Sequence, residues 1–413
     1  MLGLLTMEYG GYMDNAYPSL DVYLRERAGQ SPDKQVHIFL DNANQSEIGF
    51  SYAELDRRAR VIAQSLDEQF GQDTRVLLLF WPGLDFIAAL HGALYAGATA
   101  IPAYPPEPSR IERTLARLMT IVADAAPAVV LTSSTILELA KPMLAFAPQL
   151  AKLPWLAVDT LCQGETSPMF KALGLTPRHP AIIQYTSGST SRPKGVILSH
   201  GNIIANMRMI QAEMEAQVEQ GPDRTVVSWT PFYHDLGLMG GVLLPVISGG
   251  RSVLMSPLDF MRRPAVWLST ISRYRATDTF VPNFALDIAV RIIVGVVRAA
   301  LDLSSLRSCI VGAEPVRHAS VERFLQAFGK QGLSRNCMVP AYGLAEAVVA
   351  VAAGPASETP RTLFIDGEAL KHNRFTPVQP SHPQAIPFTS CGRPLHDVQV
   401  SIVHPDSPTR AGG

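Results

Sequence analysis

Short runs that are apolar at every position alternate with segments of helical periodicity through most of this sequence. Residues 75–80 (RVLLLF) form one such run, Pro82 and Gly83 can turn the chain, residues 84–96 repeat at helical spacing, and residues 98–104 form the next run. A short continuous apolar run suits a strand that is buried on both faces. A strand, a helix and a second strand in this order form a βαβ unit. The sequence therefore predicts an α/β fold with mostly parallel sheets flanked by helices.

The alternation continues to about residue 345 and restarts once, at a turn-rich junction over residues 176–180. Further predicted helices lie between Ser51 and Gly71 and at 109–126, 135–145 and 202–218, and further predicted strands at 129–131, 181–185, 195–198 and 225–230. Ser51 and Glu54 form a capping-box candidate at the start of the first of these helices. We therefore expect an N-terminal tail at 1–17 and two α/β subdomains, at 18–178 and 179–353.

The sequence beyond Gly354 has a different character. Up to Thr389 it is rich in proline, histidine and polar residues, and Val398–Val403 is predicted to be a late strand. The last ten residues, HPDSPTRAGG, contain no stop signal or capping element. We expect the chain to have been cut inside a larger protein.

Composition excludes several classes of function. The 413 residues are 47% hydrophobic and 17% charged, and the formal net charge is −1, with no run of lysine or arginine. Nucleic acid is therefore not an expected partner. The four scattered cysteines form no C-x-x-C pair, which argues against a zinc site or a disulfide framework and favours a reducing cytoplasm.

Neither a secretory signal nor a transmembrane segment is predicted. The first residues, MLGLLTMEYGG, lack a basic region before the apolar part. The most apolar stretch, Ile288–Leu301, is too short to span a bilayer and contains Arg291 and Arg298. We interpret that stretch as a buried or amphipathic helix.

A loop rich in hydroxyl groups follows the strand at 181–185. Residues 185–196 (YTSGSTSRPKGV) combine six hydroxyl side chains, two glycines and one lysine. One glycine lies before Pro193, and the other follows Lys194. Glycines let backbone N–H groups approach a ligand, and hydroxyls and Lys194 suit a polyanion such as a nucleotide phosphate. The loop is not a Walker A loop, because Pro193 precedes Lys194 and an apolar run follows. A polar surface hairpin fits the same composition.

Three more stretches follow predicted strands, and each occurs once, after the loop, in a definite order along the chain. They are PFYHDLG (231–237), GAEP (312–315) and YGLAE (342–346). Together with the loop they resemble the core motifs of the adenylate-forming superfamily, which includes acyl-CoA ligases and peptide-synthetase adenylation domains.

Other stretches are similar to the fatty acyl-AMP ligases within this superfamily: AIPAYPP (100–106), HGNIIANMRMI (200–210), LDLSSLR (301–307) and SCGRPL (390–395). The match covers nearly the whole chain from about residue 18. Two positions depart from the pattern. Ala345 lies where many superfamily members have threonine, and Val311 lies where family members often have asparagine, which affects the polar contacts beside the nucleotide.

The resemblance implies ATP-dependent conversion of a fatty acid to acyl-AMP with release of pyrophosphate. Residues implied to bind the β- and γ-phosphates are Thr186, Ser187, Gly188, Ser189 and Thr190, with Lys194 steadying the loop or the leaving pyrophosphate. Residues implied to form the adenine site are Gly312, Ala313, Glu314 and Pro315, with Tyr342 stacking on the base and Gly343 and Ala345 beside it. Glu346 would hold Mg²⁺, and His234 would face the substrate carboxylate. Taken singly, Glu346 also fits a surface carboxylate and His234 a structural histidine.

Residues 354–389 resemble the insertion that distinguishes fatty acyl-AMP ligases from acyl-CoA ligases, and TLFIDGEAL (362–370) is part of it. This implies that the acyl group goes to an acyl carrier protein of a lipid, polyketide or lipopeptide pathway. A variable surface loop, a long-chain acyl-CoA ligase and a non-catalytic nucleotide- or lipid-binding module remain alternatives. The resemblance also implies that residues 390–413 begin a small β-barrel subdomain. The family's ribose-binding aspartate, hinge and mobile domain with its catalytic lysine would lie beyond that point.

Overall fold

The computed structural model describes residues 17–41, 45–107, 110–164, 169, 173–186, 193–215, 224–355 and 358–403. Its strands are β1 (Gln35–Asp41), β2 (Ser46–Ser51), β3 (Arg75–Leu79), β4 (Thr99–Ala103), β5 (Val129–Thr132), β6 (Trp155–Ala157), β7 (Pro180–Thr186), β8 (Lys194–Ser199), β9 (Thr225–Ser228), β10 (Arg251–Met255), β11 (Asp278–Pro282), β12 (Ser308–Gly312), β13 (Met338–Tyr342), β14 (Ala352–Ala353), β15 (Thr362–Asp366), β16 (Ala385–Thr389) and β17 (Arg393–Pro394).

The α-helices in the same part of the chain are α1 (Leu20–Gln30), α2 (Tyr52–Phe70), α3 (Leu84–Tyr95), α4 (Ile111–Ala125), α5 (Ser134–Leu144), α6 (Pro148–Ala151), α7 (Val158–Leu161), α8 (His200–Glu215), α9 (Leu244–Ser248), α10 (Pro257–Arg262), α11 (Ala265–Tyr274), α12 (Asn283–Ile292), α13 (Gly295–Ala299), α14 (His318–Phe328) and α15 (Gly367–Lys371). Within the described part of the chain, we find no helix whose length and hydrophobicity would allow it to span a bilayer.

The described strands form two large sheets and one hairpin. The order is β6-β5-β3-β4-β7-β8 in the six-stranded sheet and β17-β14-β13-β12-β11-β9-β10-β1-β2 in the nine-stranded sheet, and β15 pairs with β16. Most neighbouring strands run parallel, including β3 with β4 and β11 with β12. The predicted α/β class is confirmed. Neither large sheet closes into a barrel among the residues described.

Local sequence signals place several elements correctly. The Ser51 hydroxyl accepts a hydrogen bond from the Glu54 backbone N–H at 3.2 Å, so the predicted cap begins α2. Gly71 ends α2 with a φ of 75°, a conformation that favours glycine. The run at 75–80 forms β3, whose residues after Arg75 are buried, and β3, α3 and β4 make the predicted βαβ unit.

Each of the two large sheets contains strands from both sides of residue 178. β1 pairs in parallel with β10 and thereby joins the nine-stranded sheet, whereas β7 pairs with β4 in the six-stranded sheet. The sequence pattern gives the order of the strands, but the pairing depends on which strand edges are free in three dimensions. One hydrophobic core contains side chains from both sheets, such as Leu78 of β3 and Leu254 of β10. The division at residue 178 stays a prediction.

Two predicted elements are wrong. Ile288–Leu301 is not one helix, because α12 ends at Ile292 and Gly295 adopts a φ of 57° where α13 begins. The stretch is not buried throughout either, since Val296 is 85% exposed. Val398–Val403 forms no continuous strand in the described part of the chain, because it contains no ladder of paired residues.

Candidate functional site

A cavity of about 340 Å³ lies against one face of the nine-stranded sheet. Ser308, Ile310 and Gly312 of β12 line it, and alternate residues of a strand point to the same face. Ile210, Glu213 and Met214 of α8 also line it, and residues at this spacing share one face of a helix. The cavity is therefore enclosed between the sheet and α8.

The cavity brings together eight of the residues implied to form the site: Thr186, His234, Gly312, Ala313, Tyr342, Gly343, Ala345 and Glu346. These residues come from three separate motifs and from the end of β7. Lys194, Glu314 and Pro315 are not among the lining residues. Ser187, Gly188, Ser189 and Thr190 lie outside the described residues.

The hydroxyl loop connects two paired strands. β7 and β8 are antiparallel, and Thr186 lies opposite Lys194. Thr186 reaches the cavity from the end of β7, while Lys194 is exposed at the start of β8. The strand predicted at 195–198 is therefore confirmed, and the loop begins at the cavity wall.

The GAEP segment follows β12 and turns sharply. Ala313 adopts a left-handed φ of 63°, which is unusual for a residue with a side chain. The Glu314 carboxylate accepts a hydrogen bond from the Phe284 backbone N–H at 2.6 Å. Glu314 thereby connects this turn to the first residues of α12, which explains why it does not point into the cavity.

The YGLAE segment follows β13 and places two different side chains at the cavity. Tyr342 is 42% exposed, so its ring has a free face beside the cavity. A tight turn over Ala345–Ala347 buries both alanines and leaves Glu346 exposed between them. A Cβ atom at Gly343 would lie 1.6 Å from the Val349 carbonyl oxygen. Glycine is therefore required here by the close approach of the chain to itself.

His234 is held by its own neighbour in the chain. Its Nδ1 lies 2.7 Å from an oxygen of the Asp235 carboxylate. This hydrogen bond raises the pKa of His234, and burial opposes the rise. The same carboxylate accepts a hydrogen bond from the Leu236 N–H at 2.6 Å and caps a π-helical turn over Leu236–Leu243. Asp235 fixes the ring through Nδ1, which leaves Nε2 for other partners.

Two contributors were missed from the sequence. Asp235 lies within a quoted motif but was given no role. Asn206 of α8 is fully buried, and its side chain donates to the Ala350 carbonyl at 2.8 Å and accepts from the Ala350 N–H at 3.2 Å. This pair of bonds holds the Ala350 wall of the cavity against α8. An asparagine among the apolar residues of HGNIIANMRMI was the available signal.

The family model described as AMP-binding enzyme matches residues 24–412. The chain belongs to the AMP-binding enzyme family. Among its relatives, medium-chain-fatty-acid–acyl-carrier-protein ligase JamA of Moorena producens is 40% identical over 385 residues, which cover 92% of this chain and 64% of JamA. Long-chain-fatty-acid–AMP ligase FadD26 of Mycobacterium bovis is 33% identical over 403 residues, which cover 95% of this chain and 67% of FadD26.

Solved structures of this family agree with the fold. The fatty acyl-adenylate ligase of Legionella pneumophila, in complex with acyl adenylate and pyrophosphate, matches with a TM-score of 0.86 and 34% identity, covering 98% of this chain and 68% of that one. The resemblance to fatty acyl-AMP ligases is thereby confirmed. The AMP-binding chain spans about two thirds of the length of the relatives it matches.

Proposed function

We propose that this chain forms the nucleotide- and acyl-binding part of an enzyme that activates a fatty acid. The reaction joins the fatty acid to the α-phosphorus of ATP, giving acyl-AMP and pyrophosphate, and the acyl group then passes to an acyl carrier protein. One observation carries the proposal: a single cavity contains Thr186, His234, Tyr342 and Glu346 at one end and apolar residues along its length. Such a cavity suits a ligand that is polar at one end and an alkyl chain at the other.

The polar end fits a nucleotide. Thr186 supplies a hydroxyl at the start of the phosphate loop, and the partly exposed ring of Tyr342 can stack on a base. Gly312 and Ala313 leave little side chain between the end of β12 and the cavity. We assign ATP to this end, with the adenine beside Ala313 and Tyr342.

Glu346 fits the requirement of a magnesium site. Three carboxylates line the cavity: Glu213 of α8, Asp235, which lies against the His234 ring, and Glu346 of the YGLAE segment. No three histidine, cysteine, aspartate or glutamate side chains cluster as a metal site among the residues described, and we assign the ion to Glu346. Mg²⁺ commonly binds through one or two carboxylates, substrate phosphates and water. When bound, the ion would neutralise charge on the phosphates, and Glu346 is the residue that would hold it.

The chain's own residues contribute mainly positioning. A fatty carboxylate is a weak nucleophile and must lie in line with the departing pyrophosphate. His234, fixed by Asp235 and carrying a raised pKa, can orient the carboxylate by a hydrogen bond from Nε2. The apolar walls, including Met214 and Phe280, keep water away from the alkyl chain.

A binding experiment on the chain tests this function. Octanoyl-sulfamoyl-adenosine is a stable mimic of an acyl-adenylate, and we expect it to bind with one site and to be displaced by ATP. Isothermal titration calorimetry measures both. Failure of the mimic to bind, with acyl chains of six to sixteen carbons all tried, would overturn the proposal.

Acyl-CoA synthesis is the second candidate, because a relative of this chain, FadD21 of Mycobacterium tuberculosis, is named as a fatty-acid–CoA ligase and is 33% identical over 391 residues. The β15–β16 hairpin favours the carrier protein. It is attached to α14, where Thr362 Oγ1 lies 3.0 Å from His318 Nδ1 and the Phe364 ring packs against the His318 ring. A hairpin anchored in this way can restrict movement of a further domain. Supplying the full-length protein with CoA or with a phosphopantetheinylated carrier protein, and identifying the acylated product, distinguishes the two.

A cytoplasmic location is part of this proposal. ATP and a carrier-bound thiol are cytoplasmic reactants, and Cys162, Cys309, Cys337 and Cys391 are free thiols.

A further inference from the structure

Four aliphatic side chains lie exposed within six consecutive positions between α12 and β12. We call residues 292–297 the apolar segment. Val296 is 85% exposed, and Ile292, Val294 and Val297 are between 45% and 56% exposed. Ile293, by contrast, packs in the core beneath them. Single exposed apolar residues are ordinary on a protein surface, whereas a contiguous group of this kind marks a place where the surface meets something apolar.

The apolar segment lies at the edge of the nine-stranded sheet that is opposite to the cavity motifs. α12 starts directly after β11 and has ten residues, so it is about 15 Å long, about the length of that strand. It runs back beside the sheet, and the segment that follows it lies near the amino ends of the parallel strands β11 and β12. The GAEP and YGLAE segments follow the carboxyl ends of β12 and β13.

The last described strand also lies at the carboxyl edge. β17 pairs with β14, and β14 pairs with β13 at Tyr342, where β13 ends. Chain that continues beyond β17 therefore leaves the sheet at the edge opposite to the apolar segment. A covering partner for the apolar segment has to be sought outside this part of the molecule.

The charges next to the apolar segment are positive. Residues 288–301 contain two arginines and no carboxylate. The carboxylates on either side of this stretch are both compensated, because Asp287 lies 2.6 Å from Arg323 and Asp302 lies 3.2 Å from Arg275. The local excess of positive charge is thus not cancelled by the nearest acidic residues.

Three cations lie close together beside the segment. Arg298, Arg323 and Lys330 line one shallow depression between α13 and α14. Arg298 donates a hydrogen bond to the Ile293 carbonyl at 2.7 Å and thereby holds the apolar segment against the fold. Arg291 and Lys330 are exposed and have no ion-pair partner in the part of the chain that the structure describes. These two side chains are available to an anion.

A bilayer with anionic phospholipids fits both features. Aliphatic side chains can enter the boundary between headgroups and acyl chains without a matching pocket, and lysine and arginine are attracted to anionic headgroups. A specific protein interface takes about 20–30 residues from each partner, and the apolar segment offers four exposed aliphatic side chains. The size of the patch therefore favours a lipid surface over a protein partner or a second copy of the chain.

We propose that the apolar segment inserts into the surface of a bilayer that contains anionic phospholipids, with Arg291 and Lys330 at the level of the lipid phosphates. The chain docks there as a peripheral protein, and the carboxyl edge of the nine-stranded sheet faces away from the bilayer. This orientation leaves the cavity open to a carrier protein, a consequence that rests on the proposed function. The docking itself does not depend on that function.

Sedimentation with vesicles tests the docking on the chain as it exists. The probes are vesicles of phosphatidylcholine alone and vesicles of phosphatidylcholine and phosphatidylglycerol in equal parts. We expect the chain to bind the mixed vesicles. A double variant, Val296→Ser with Val297→Ser, should bind them at least about tenfold more weakly, because two aliphatic side chains no longer leave water on binding.

Charge variants test the second feature. Arg291→Gln and Lys330→Gln should each weaken binding to the mixed vesicles about fivefold and leave binding to phosphatidylcholine vesicles unchanged. Added salt should reduce these differences, because it screens exposed charges. Lys152→Gln removes an exposed lysine after α6 and is the matched control.

Phe146→Ser is the control for the apolar segment, since the Phe146 ring is 82% exposed after α5 and lies far from it in the chain. Circular dichroism checks that each variant is folded. The inference is overturned if the double variant binds as well as the wild type, or if Phe146→Ser weakens binding equally. It is also overturned if the wild type dimerises without vesicles and the double variant does not, because the apolar segment would then join two copies. None of these results bears on binding of the acyl-adenylate mimic, so the proposed function stands or falls separately.

Discussion

Glu346 is an exposed carboxylate between two buried alanines at the polar end of the cavity. Glu346→Gln keeps the shape of the side chain and removes its charge. We expect the full-length protein to lose at least about a hundredfold in acyl-adenylate formation, because one preorganised electrostatic group at such a site has an effect of this size. The free energy of unfolding should change by less than about 0.5 kcal/mol, as for other surface substitutions.

Pyrophosphate release measures the rate in this experiment, and urea denaturation measures the stability. Glu368→Gln is the control, since Glu368 is an exposed carboxylate of α15 outside the cavity. An unchanged rate in Glu346→Gln would remove Glu346 from the site.

Asp235 sets the protonation of His234. Its hydrogen bond to Nδ1 raises the pKa of His234, so the ring keeps its proton to a higher pH than an ordinary histidine. Asp235→Asn retains an oxygen that can cap the Leu236 N–H and removes the negative charge. We expect the pH above which fatty-acid binding weakens to move downward in this variant, because the pKa of His234 falls.

Measuring binding of octanoate with ATP from pH 5.5 to 8.5 checks this expectation. Asp259→Asn, at an aspartate of α10 outside the cavity, is the control. If the two pH profiles coincide, His234 does not act on the carboxylate through its charge.

At the level of elements, the sequence was most informative where one local interaction decides the structure. The cap at Ser51, the apolar run of β3 and the turn at Gly71 each depend on residues that are close in the chain. The prediction for residues 288–301 was wrong because their apolar content indicated a buried helix. In the structure the helix is interrupted before Gly295, and Val296 lies exposed. Hydrophobicity alone does not reveal that an apolar segment lacks a covering element.

Gly343 lines the cavity, and the packing of the chain gives a reason for glycine at this position. Gly343→Ala would place a methyl group 1.6 Å from the Val349 carbonyl oxygen, and this oxygen belongs to backbone that must move away. We expect the variant to lose more than about 2 kcal/mol of the free energy of unfolding, since overpacking against backbone typically costs about 1–3 kcal/mol or more. Nucleotide binding should weaken with it.

Gly29→Ala is the matched comparison. A Cβ atom at Gly29 would meet nothing within 4 Å, and Gly29 lies inside α1. Alanine should stabilise that helix by about 0.5–1 kcal/mol. Urea denaturation of both variants decides the question, and equal stability of the two would contradict the close approach at Gly343.

At the scale of the whole molecule, the sequence predicted which motifs converge but not how the sheets share strands. The resemblance implied that Tyr342, Gly312 and His234 belong to one site, and all three line the cavity. It could not show that β1 would pair with β10, because this pairing joins segments more than two hundred residues apart. The position of β1 in this sheet also places His37 of β1 and His91 of α3 in one buried region.

These two histidines are fully buried and poorly satisfied. His37 Nδ1 lies 2.8 Å from Ser252 Oγ, while His37 Nε2 and both ring nitrogens of His91 have no partner among the described residues. Burial lowers the pKa of His37 to about 3, with a further contribution from His91, and lowers the pKa of His91 to about 4. In the folded protein both rings are therefore neutral at pH 7 and resist protonation in mild acid.

This arrangement predicts a loss of stability in mild acid. In the unfolded chain each ring takes up a proton as the pH falls through 6.5, while the folded chain binds none until the pH approaches its lowered pKa. The free energy of unfolding should therefore fall as the pH drops below 6.5, by roughly 2 kcal/mol for each histidine at pH 5.

His91→Leu removes one of these groups and should reduce the difference in stability between pH 7 and pH 5 by about that amount. Urea denaturation at the two pH values measures the difference, and His372→Leu, at an exposed histidine after α15, controls for loss of any histidine. An equal acid-induced loss in the wild type and in His91→Leu would show that His91 is hydrated or paired in solution.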